Sequence, residues 1–351
     1  MTNDTTAAVA EFLRTEMARH HIPGLSLAVV RQGKPVLLQG YGWANLEWQI
    51  PATPTTVYEI ASITKLFTAT AIMRLVESGR ISLGDTLGKH LPHMPEAWHH
   101  VTVKQMLMHQ SGIKSYTDVP RYWETTRHDL SREEILDLVR ALPLSFAPGA
   151  RSAYENTAYY LLGFLLEQIS GQAYADFLRT HFFTPLGMRD TRANDYAAVV
   201  PRRAAGYSWR DGQWVNKPYY STSGTYAAGI LLSTVVDLAH WDAAVRRHAI
   251  LSPQTHALML TPHPSQAQNE RQFDYWHGLG WFLLTHNEHP FAGHNGGIQG
   301  FAGSYVHFLQ RDLTIILLHN QDNAIPPHEI ALAVADFYLP SAPELSSHAP
   351  S

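Results

Sequence analysis

Two residues that can do chemistry together, Ser62 and Lys65, lie within the apolar stretch from Tyr58 to Met73. This stretch predicts a helix that ends near Gly79, with Ser62 near its first turn. At a spacing of three residues the two side chains share a helix face, so the lysine amine can reach the serine hydroxyl. A helix N-terminus also presents free N–H groups and a positive dipole end. The pattern indicates an activated serine nucleophile. The alternative is a capping serine beside a lysine that extends to the surface.

A second Ser-x-x-Lys pattern occurs at Ser111-Gly112-Ile113-Lys114. On the order of one such match is expected by chance in a chain of this length. This copy has glycine in its middle and no long apolar run behind it, so it predicts a loop. Ser62 is therefore the better candidate for the nucleophile.

The second motif is Tyr154-Glu155-Asn156, which stands in a turn between Pro148-Gly149 and a predicted helix. A tyrosine held between cations can relay a proton, and an asparagine amide can bond a substrate carbonyl. The alternative is a packing tyrosine and an asparagine that caps the helix.

The third motif, His294-Asn295-Gly296, lies in a segment with five glycines among thirteen residues, 291–303. Such glycine content marks backbone that other groups approach closely. A strand edge here, beside the Ser62 helix, would supply one N–H donor for an oxyanion, and the N–H of Ser62 would supply the other. Losing one such donor costs about 3 kcal/mol of transition-state stabilisation. The alternative is a glycine-rich turn with a solvent-facing histidine.

Composition limits the function classes. The chain has 351 residues, a net charge of −4 and no cysteine, which excludes disulfides, thiolate metal sites and a cysteine nucleophile. The charge balance gives no basic surface for nucleic acid or an anionic membrane. No Gly-x-Ser-x-Gly occurs, which weighs against an α/β-hydrolase. The N-terminal residues 1–6 lack the features of a signal peptide, and no apolar run reaches membrane-spanning length. We therefore expect a cytoplasmic protein.

Strand patterns lie near both ends of the chain and helical patterns lie between them, which predicts an α+β fold. The expected architecture is one antiparallel sheet flanked by helices, with a mostly helical lobe inserted. Residues 1–345 would form a single catalytic unit in two lobes, and 341–351 a disordered tail. The sheet lobe comprises 7–60 and 205–340, and the helical lobe 61–204. Helices are predicted at 7–20, 101–109, 132–141, 157–169 and 329–338, and strands at 24–30, 34–42, 278–284, 304–309 and 313–319, with a hairpin at 207–215.

The three motifs occur in the order found in the superfamily of class C β-lactamases and D-Ala-D-Ala peptidases, which this chain resembles from about residue 8 to residue 340. Further stretches are also similar to that family, namely Leu107-Met108-His109-Gln110-Ser111-Gly112, Ala227–Thr234 and Gly278-Leu279-Gly280-Trp281. The resemblance implies a three-layer fold of the β-lactamase and transpeptidase type, and catalysis without a cofactor or metal.

The same resemblance implies a role for each motif residue. Ser62 would be the acylated nucleophile, and Lys65 and Tyr154 would manage its proton, with either one as the base. The remaining roles are His294 as a catalytic group on the sheet edge, Ser62 and Gly297 as the oxyanion hole, and Asn156, Asn295 and Gly296 as substrate-binding residues. A free lysine has a pKa of about 10.4, so a neutral base near pH 7 requires a shift worth about 4–5 kcal/mol. Burial can supply much of that shift.

The third motif departs from the Lys-Thr-Gly that β-lactamases of this group carry. A neutral imidazole at His294 holds a β-lactam carboxylate less well than an ammonium would. The sequence therefore favours a serine hydrolase that acts through an acyl-enzyme on small esters or amides. A D-amino-acid peptidase or weak β-lactamase using the same residues is the alternative, and a catalytically silent scaffold of the same fold is the third hypothesis. The expected partner is a small-molecule ester, amide or peptide substrate.

Overall fold

The computed structural model describes residues 3–263, 276–322 and 324–340. The strands are β1 (Gly24–Arg31), β2 (Lys34–Asn45), β3 (Ile50–Pro51), β4 (Tyr58–Glu59), β5 (Arg192–Ala193), β6 (Tyr207–Arg210), β7 (Gln213–Asn216), β8 (Leu231–Ser233), β9 (Trp276–His277), β10 (Phe282–His286), β11 (His289–Ile298), β12 (Phe301–Phe308), β13 (Leu313–His319) and β14 (Gln321–Asp322). The α-helices are α1 (Asn3–Arg19), α2 (Thr64–Glu77), α3 (Leu87–His90), α4 (Val103–Leu107), α5 (Pro120–Thr125), α6 (Arg132–Asp137), α7 (Thr157–Ser170), α8 (Tyr174–Leu178), α9 (Thr184–Leu186), α10 (Tyr226–Gly229), α11 (Val235–Arg246), α12 (Pro253–Met259) and α13 (Pro327–Asp336). Among these described helices, none combines the length and the apolar character that a membrane crossing requires.

The main sheet joins the two ends of the chain. Among the described strands, eight pair in the order β3-β2-β1-β13-β12-β11-β10-β9, with antiparallel neighbours. The first strand β1 lies beside β13, with Leu27 opposite Leu317. The predicted α+β class and the antiparallel sheet drawn from both ends of the chain are therefore confirmed. The lobe boundaries stay a prediction, and the predicted tail, 341–351, lies outside the described residues.

Both faces of this sheet are covered by helices. Leu25, Leu27 and Val29 of β1 pack on one face with α1 and α13, whereas Ala28 and Val30 pack on the other face with α2 and α11. Successive side chains of a strand point to opposite faces, so a strand that is apolar at every position needs a cover on both sides. Full burial of one such side chain contributes about 2 kcal/mol. The alternation therefore produces the three layers, helix, sheet and helix.

Several predicted elements differ in their bounds. Helix α4 starts later because Thr102 and Gln105 form a reciprocal capping box, and it ends before His109, whose φ is 55°. The strand expected at 278–284 begins only at Phe282, since Gly280 has a φ of 87° in a turn. The predicted hairpin is confirmed with its Asp-Gly turn, as β6 pairs with β7.

Candidate active site

Ser62 lies in a short 3-10 turn, Ala61–Ile63, between β4 and α2. Ala61 has a φ of 44°, in the left-handed region that costs an L-residue about 1 kcal/mol or more. Tertiary contacts hold this conformation, among them the Ile60 N–H that donates to the Leu231 carbonyl at 3.0 Å. The N-cap position of α2 is Ile63, without a side-chain hydrogen bond. Ser62 therefore sits at the start of the helix as predicted, but not as its cap.

Lys65 is completely buried and faces Ser62. Its Nζ donates to Ser62 Oγ at 3.0 Å, to Asn156 Oδ1 at 2.8 Å and to the Ala228 carbonyl at 2.8 Å. The alternative of a lysine that extends to the surface is therefore wrong. Burial lowers the pKa of Lys65 well below its ordinary value, and the Glu155 carboxylate offsets part of that shift.

The second motif brings two further side chains to the same point. The Tyr154 hydroxyl donates to Ser62 Oγ at 2.7 Å, and its ring centre lies 4.9 Å from Lys65 Nζ. Asn156 occupies the N-cap position of α7, but its side chain does not cap the helix. Its Oδ1 accepts from Lys65, and its Nδ2 donates to Thr117 Oγ1 at 3.1 Å. Ser62 Oγ thus lies between an amine and a phenol, and Asn156 fixes the amine.

Glu155 is a buried carboxyl for which the sequence analysis predicts no role. Its Oε1 accepts from the Ser111 hydroxyl at 2.7 Å, and its Oε2 accepts from the Ala158 N–H at 2.7 Å, at the start of α7. Its own N–H donates to His109 Nδ1 at 3.2 Å. Burial raises the pKa of Glu155 to about 7. Glu155 therefore anchors the turn that carries the second motif, and Ser111 serves as a structural hydrogen-bond donor. The only signal in the sequence was its position between Tyr154 and Asn156.

Strand β11 runs against the Ser62 turn. A Cβ on Gly296 would lie 2.1 Å from the Ile60 carbonyl oxygen, so only glycine fits at this close approach. A Cβ on Gly297 would meet no atom of the described part of the chain within 4 Å, and Gly297 lines the same cavity as Ser62. The structure therefore places the glycine-rich strand beside Ser62, as the sequence analysis predicts.

His294 is buried beside Tyr154 rather than solvent-facing. Its ring centre lies 6.1 Å from that of Tyr154 and 4.6 Å from that of Phe282. Its Nδ1 donates to the Asn295 carbonyl at 2.6 Å, which leaves Nε2 as an acceptor that is buried and has no hydrogen-bond partner among the described residues. Burial lowers the pKa of His294 to about 3. The imidazole is therefore neutral at ordinary pH.

Asn295 does not join the site. Its Oδ1 accepts from the Ser304 hydroxyl at 2.8 Å, and its Nδ2 donates to His328 Nδ1 at 2.9 Å, on α13. Since neighbouring strand residues point to opposite faces, Asn295 points away from the face on which Gly296 meets the Ser62 turn. The predicted substrate-binding role of Asn295 is therefore corrected: the residue ties β11 to α13.

A cavity of about 600 Å³ opens above the serine. Ser62, Asn156 and Gly297 line this cavity, together with residues that lie between positions 61 and 327 of the chain. More than half of the residues that line it are aromatic or apolar. The larger ones are Tyr116, Tyr122, Trp123, Tyr220, Ile298, Phe301 and Ile325. A pocket of this size and character suits a small organic substrate.

A serine hydroxyl that accepts hydrogen bonds from a buried amine and a phenol, at the foot of such a cavity, is the arrangement of a serine hydrolase. The sequence comparison agrees with that class. The chain belongs to the beta-lactamase family, whose sequence pattern matches residues 9–338. The matched span contains all three motifs, so the predicted kinship and the enzyme class are confirmed.

Individual proteins are similar to this chain over most of its length. Protein flp of Staphylococcus aureus (strain MW2) is 28% identical over 336 residues, which span 93% of this chain but only 65% of that protein. The octameric penicillin-binding protein homologue from Pyrococcus abyssi is 29% identical, with a TM-score of 0.84 over 95% of this chain and 77% of that one. The D-amino acid amidase from Ochrobactrum anthropi SV3, solved with L-phenylalanine amide, is 26% identical, with a TM-score of 0.84 over 96% of this chain and 99% of that one.

Proposed function

We propose that the chain hydrolyses small carboxylic esters and amides through an acyl-enzyme on Ser62. The observation that carries this proposal is the position of Ser62 Oγ, 3.0 Å from Lys65 Nζ and 2.7 Å from the Tyr154 hydroxyl. Both distances allow direct proton transfer. The cavity above the serine gives a small acyl group access to the hydroxyl.

Lys65 is the general base in this proposal. Two of its three partners, Asn156 Oδ1 and the Ala228 carbonyl, can only accept hydrogen bonds. The protonated amine donates its third N–H to Ser62 Oγ, as in the structure. The neutral amine has two N–H bonds, which Asn156 and Ala228 occupy, so in that form its lone pair accepts from the Ser62 hydroxyl instead. Burial favours this neutral form, because it lowers the pKa of Lys65.

The reaction then follows from the positions of these groups. Lys65 takes the proton of Ser62 as Oγ attacks the carbonyl carbon, and the N–H groups of Ser62 and Gly297 stabilise the oxyanion. Tyr154 donates its proton to the leaving group as the carbon–oxygen or carbon–nitrogen bond breaks, and regains one from the Lys65 ammonium. Water attacks the acyl-enzyme in the second half-reaction, with its proton passing to the same groups.

Hydrolysis of p-nitrophenyl acetate and butyrate by the wild type and by Ser62→Ala tests this proposal. We expect a rate well above background in the wild type that is lost in the variant. Equal, near-background rates in both proteins would contradict the esterase activity.

Amides of amino acids are the second candidate substrates, favoured by the structural likeness to the D-amino acid amidase. The release of ammonia from D- and L-phenylalanine amide would be measured and compared with the hydrolysis of the p-nitrophenyl esters. Faster turnover of the amides than of the esters would identify amino acid amides as the preferred substrates. Penicillin hydrolysis is expected to be slow, since the neutral His294 imidazole brings no positive charge to the third motif.

A further inference from the structure

Two phenols of the cavity wall, Tyr122 and Tyr220, share one hydrogen bond between their hydroxyl groups. Tyr122 lies in α5, and Tyr220 lies in the segment between β7 and α10. Both side chains are buried, with 2% and 5% of their surface exposed. Burial raises the pKa of both phenols, so both hydroxyls keep their hydrogens at ordinary pH.

This pair has one hydrogen more than its shared bond can use. Each neutral phenol has one hydrogen to donate, and only one of the two lies in the shared bond, whichever oxygen is the donor. Among the described residues, neither hydroxyl has a second hydrogen-bond partner. The second hydrogen therefore needs an acceptor from the cavity, which is either solvent or a bound molecule.

The surroundings hold the two rings in place. A Cβ on Gly224 would stand 2.4 Å from the Tyr122 hydroxyl, so this phenol packs directly on the backbone of the segment that carries Tyr220. The Tyr116 hydroxyl fixes that segment by donating to the Gly224 carbonyl. The Tyr160 hydroxyl does the same from α7 by donating to the Ser223 carbonyl at 2.9 Å. The spare phenol hydrogen is therefore presented to the cavity from a preorganised wall.

An acyl group that enters the cavity displaces the solvent that serves this hydrogen. An alkyl chain offers no acceptor, so the phenol is left unpaired, and a site of this kind rejects an analogue that lacks the acceptor. An ether or carbonyl oxygen at the matching depth restores the hydrogen bond. Among the described residues that line the cavity, Arg210 and Asp322 carry the charges, which are opposite in sign, so the wall favours a neutral acceptor.

We propose that the hydroxyl pair of Tyr122 and Tyr220 is a subsite for the acyl group, where it donates one hydrogen bond to a neutral oxygen of the substrate. The favoured substrates are thus esters or amides whose acyl chain carries an ether or carbonyl oxygen. This inference rests on the proposed acyl-enzyme chemistry and names the class of acyl group that the site selects.

The test compares p-nitrophenyl octanoate with four analogues in which an oxygen replaces the methylene at position four, five, six or seven of the acyl chain. The four positions sample different depths of the cavity. The measured quantity is the ratio of kcat/KM for each ether ester to that for octanoate. At the matching position this ratio should be about 10-fold higher in the wild type than in Tyr122→Phe/Tyr220→Phe, which lacks both hydroxyls. The reactivity and hydrophobicity of the esters cancel, because the same ratio is compared between two proteins.

The single variants distinguish hydrogen bonding from packing. Tyr122→Phe and Tyr220→Phe each leave one phenol, whose hydrogen the pair no longer uses, so each ratio should stay within about threefold of the wild-type value. Tyr160→Phe is the matched control, since this phenol bonds the same segment without lining the cavity. It should leave the ratio unchanged.

Equal ratios at all four positions in the wild type would overturn the subsite while leaving the hydrolase activity intact. An unchanged ratio in the double variant, or losses in the two single variants that add up to its loss, would do the same. If none of the esters is hydrolysed, the proposed function fails instead, and calorimetry with the matching primary amides and Ser62→Ala decides the subsite. At least one ether amide should lose about tenfold in affinity relative to octanamide when both tyrosines are also replaced by phenylalanine, and no such loss at any position would refute the subsite.

Discussion

Two neighbouring glycines of β11 offer a matched test of how the strand positions the oxyanion hole. Gly296 lies against the Ile60 carbonyl, whereas a side chain on Gly297 would meet open space. Gly296→Ala should therefore push the strand away from the Ser62 turn, and Gly297→Ala should leave the backbone in place. Both variants add one methyl group to the same strand, so their comparison isolates the close contact.

The size of the effect follows from the contact distance. The new Cβ would stand 2.1 Å from the Ile60 oxygen, whereas ordinary contact begins at 3.4 Å, so the gap must open by about 1.3 Å. An N–H···O bond of about 2.9 Å that lengthens by this amount is no longer a hydrogen bond. Loss of one oxyanion donor costs about 3 kcal/mol, a 100- to 1000-fold decrease in kcat. The overpacking should also lower the free energy of unfolding by about 1–3 kcal/mol.

The assay measures kcat for p-nitrophenyl butyrate and the thermal midpoint of both variants. Gly296→Ala should lose activity to the stated extent and melt several degrees lower. Gly297→Ala should melt with the wild type and lose much less activity. Full activity in Gly296→Ala, or equal losses of stability in the two variants, would refute the assignment of the close contact.

Three further predictions concern single side chains. Asp242→Asn leaves the buried end of Arg246 without its carboxylate and should destabilise the fold by about 3 kcal/mol. Asp312→Asn, which removes an exposed partner of the same arginine, should cost less than about 1 kcal/mol in urea unfolding. Tyr154→Phe removes the 2.7 Å hydrogen bond to the nucleophile and should lower kcat by about 100-fold or more. Because burial lowers the pKa of Lys65, kcat/KM should stay high well below the pH at which a free lysine loses its proton, and Lys65→Arg should be inactive at every pH.

The sign of the acid effect at Asp242 is fixed by its pKa. Burial alone would raise this pKa, but hydrogen bonding to His307 and the charges of His307 and Arg246 hold it at about 2. The folded-state pKa lies below the unfolded value, so this stabilisation is present above about pH 4 and is lost as the pH falls through 2. Unfolding free energies that do not change between pH 5 and pH 2.5 would contradict this account.

Equal losses of unfolding free energy in Asp242→Asn and Asp312→Asn would contradict the argument from burial. A kcat/KM profile that rises only near pH 10 would exclude a neutral Lys65.

Local patterns predicted much of the fold. The predicted helix at 157–169 matches α7, which Gly171 ends in a left-handed conformation, and the strand at 313–319 matches β13. The spacing of apolar residues and the presence of turn residues are local signals, so each of these elements can be predicted separately. The contact between Ser62 and Lys65 follows from their spacing on a helix, whereas the arrival of Tyr154 at the same point is predicted by the order of the three motifs rather than by a local pattern.

Other features depend on packing between distant segments. Asn295 was expected to bind substrate, but the alternation of β11 directs its side chain to α13. The anchoring by Glu155 requires Ser111, which is 44 residues away along the chain. Asp322 belongs to the cavity only because β14 pairs with β6 and the hairpin turn at Gly300 donates to its carboxylate. No spacing in the sequence encodes these contacts.

The central claim is that Ser62 carries the acyl group, and mass spectrometry of the trapped intermediate tests it most directly. The protein would be quenched in acid during turnover of p-nitrophenyl butyrate, digested and mapped. The account predicts a butyryl group on the peptide that contains Ser62, absent from Ser62→Ala, and no label on Ser111 of the second Ser-x-x-Lys pattern. A butyryl group on another residue, or undiminished turnover by Ser62→Ala, would contradict it.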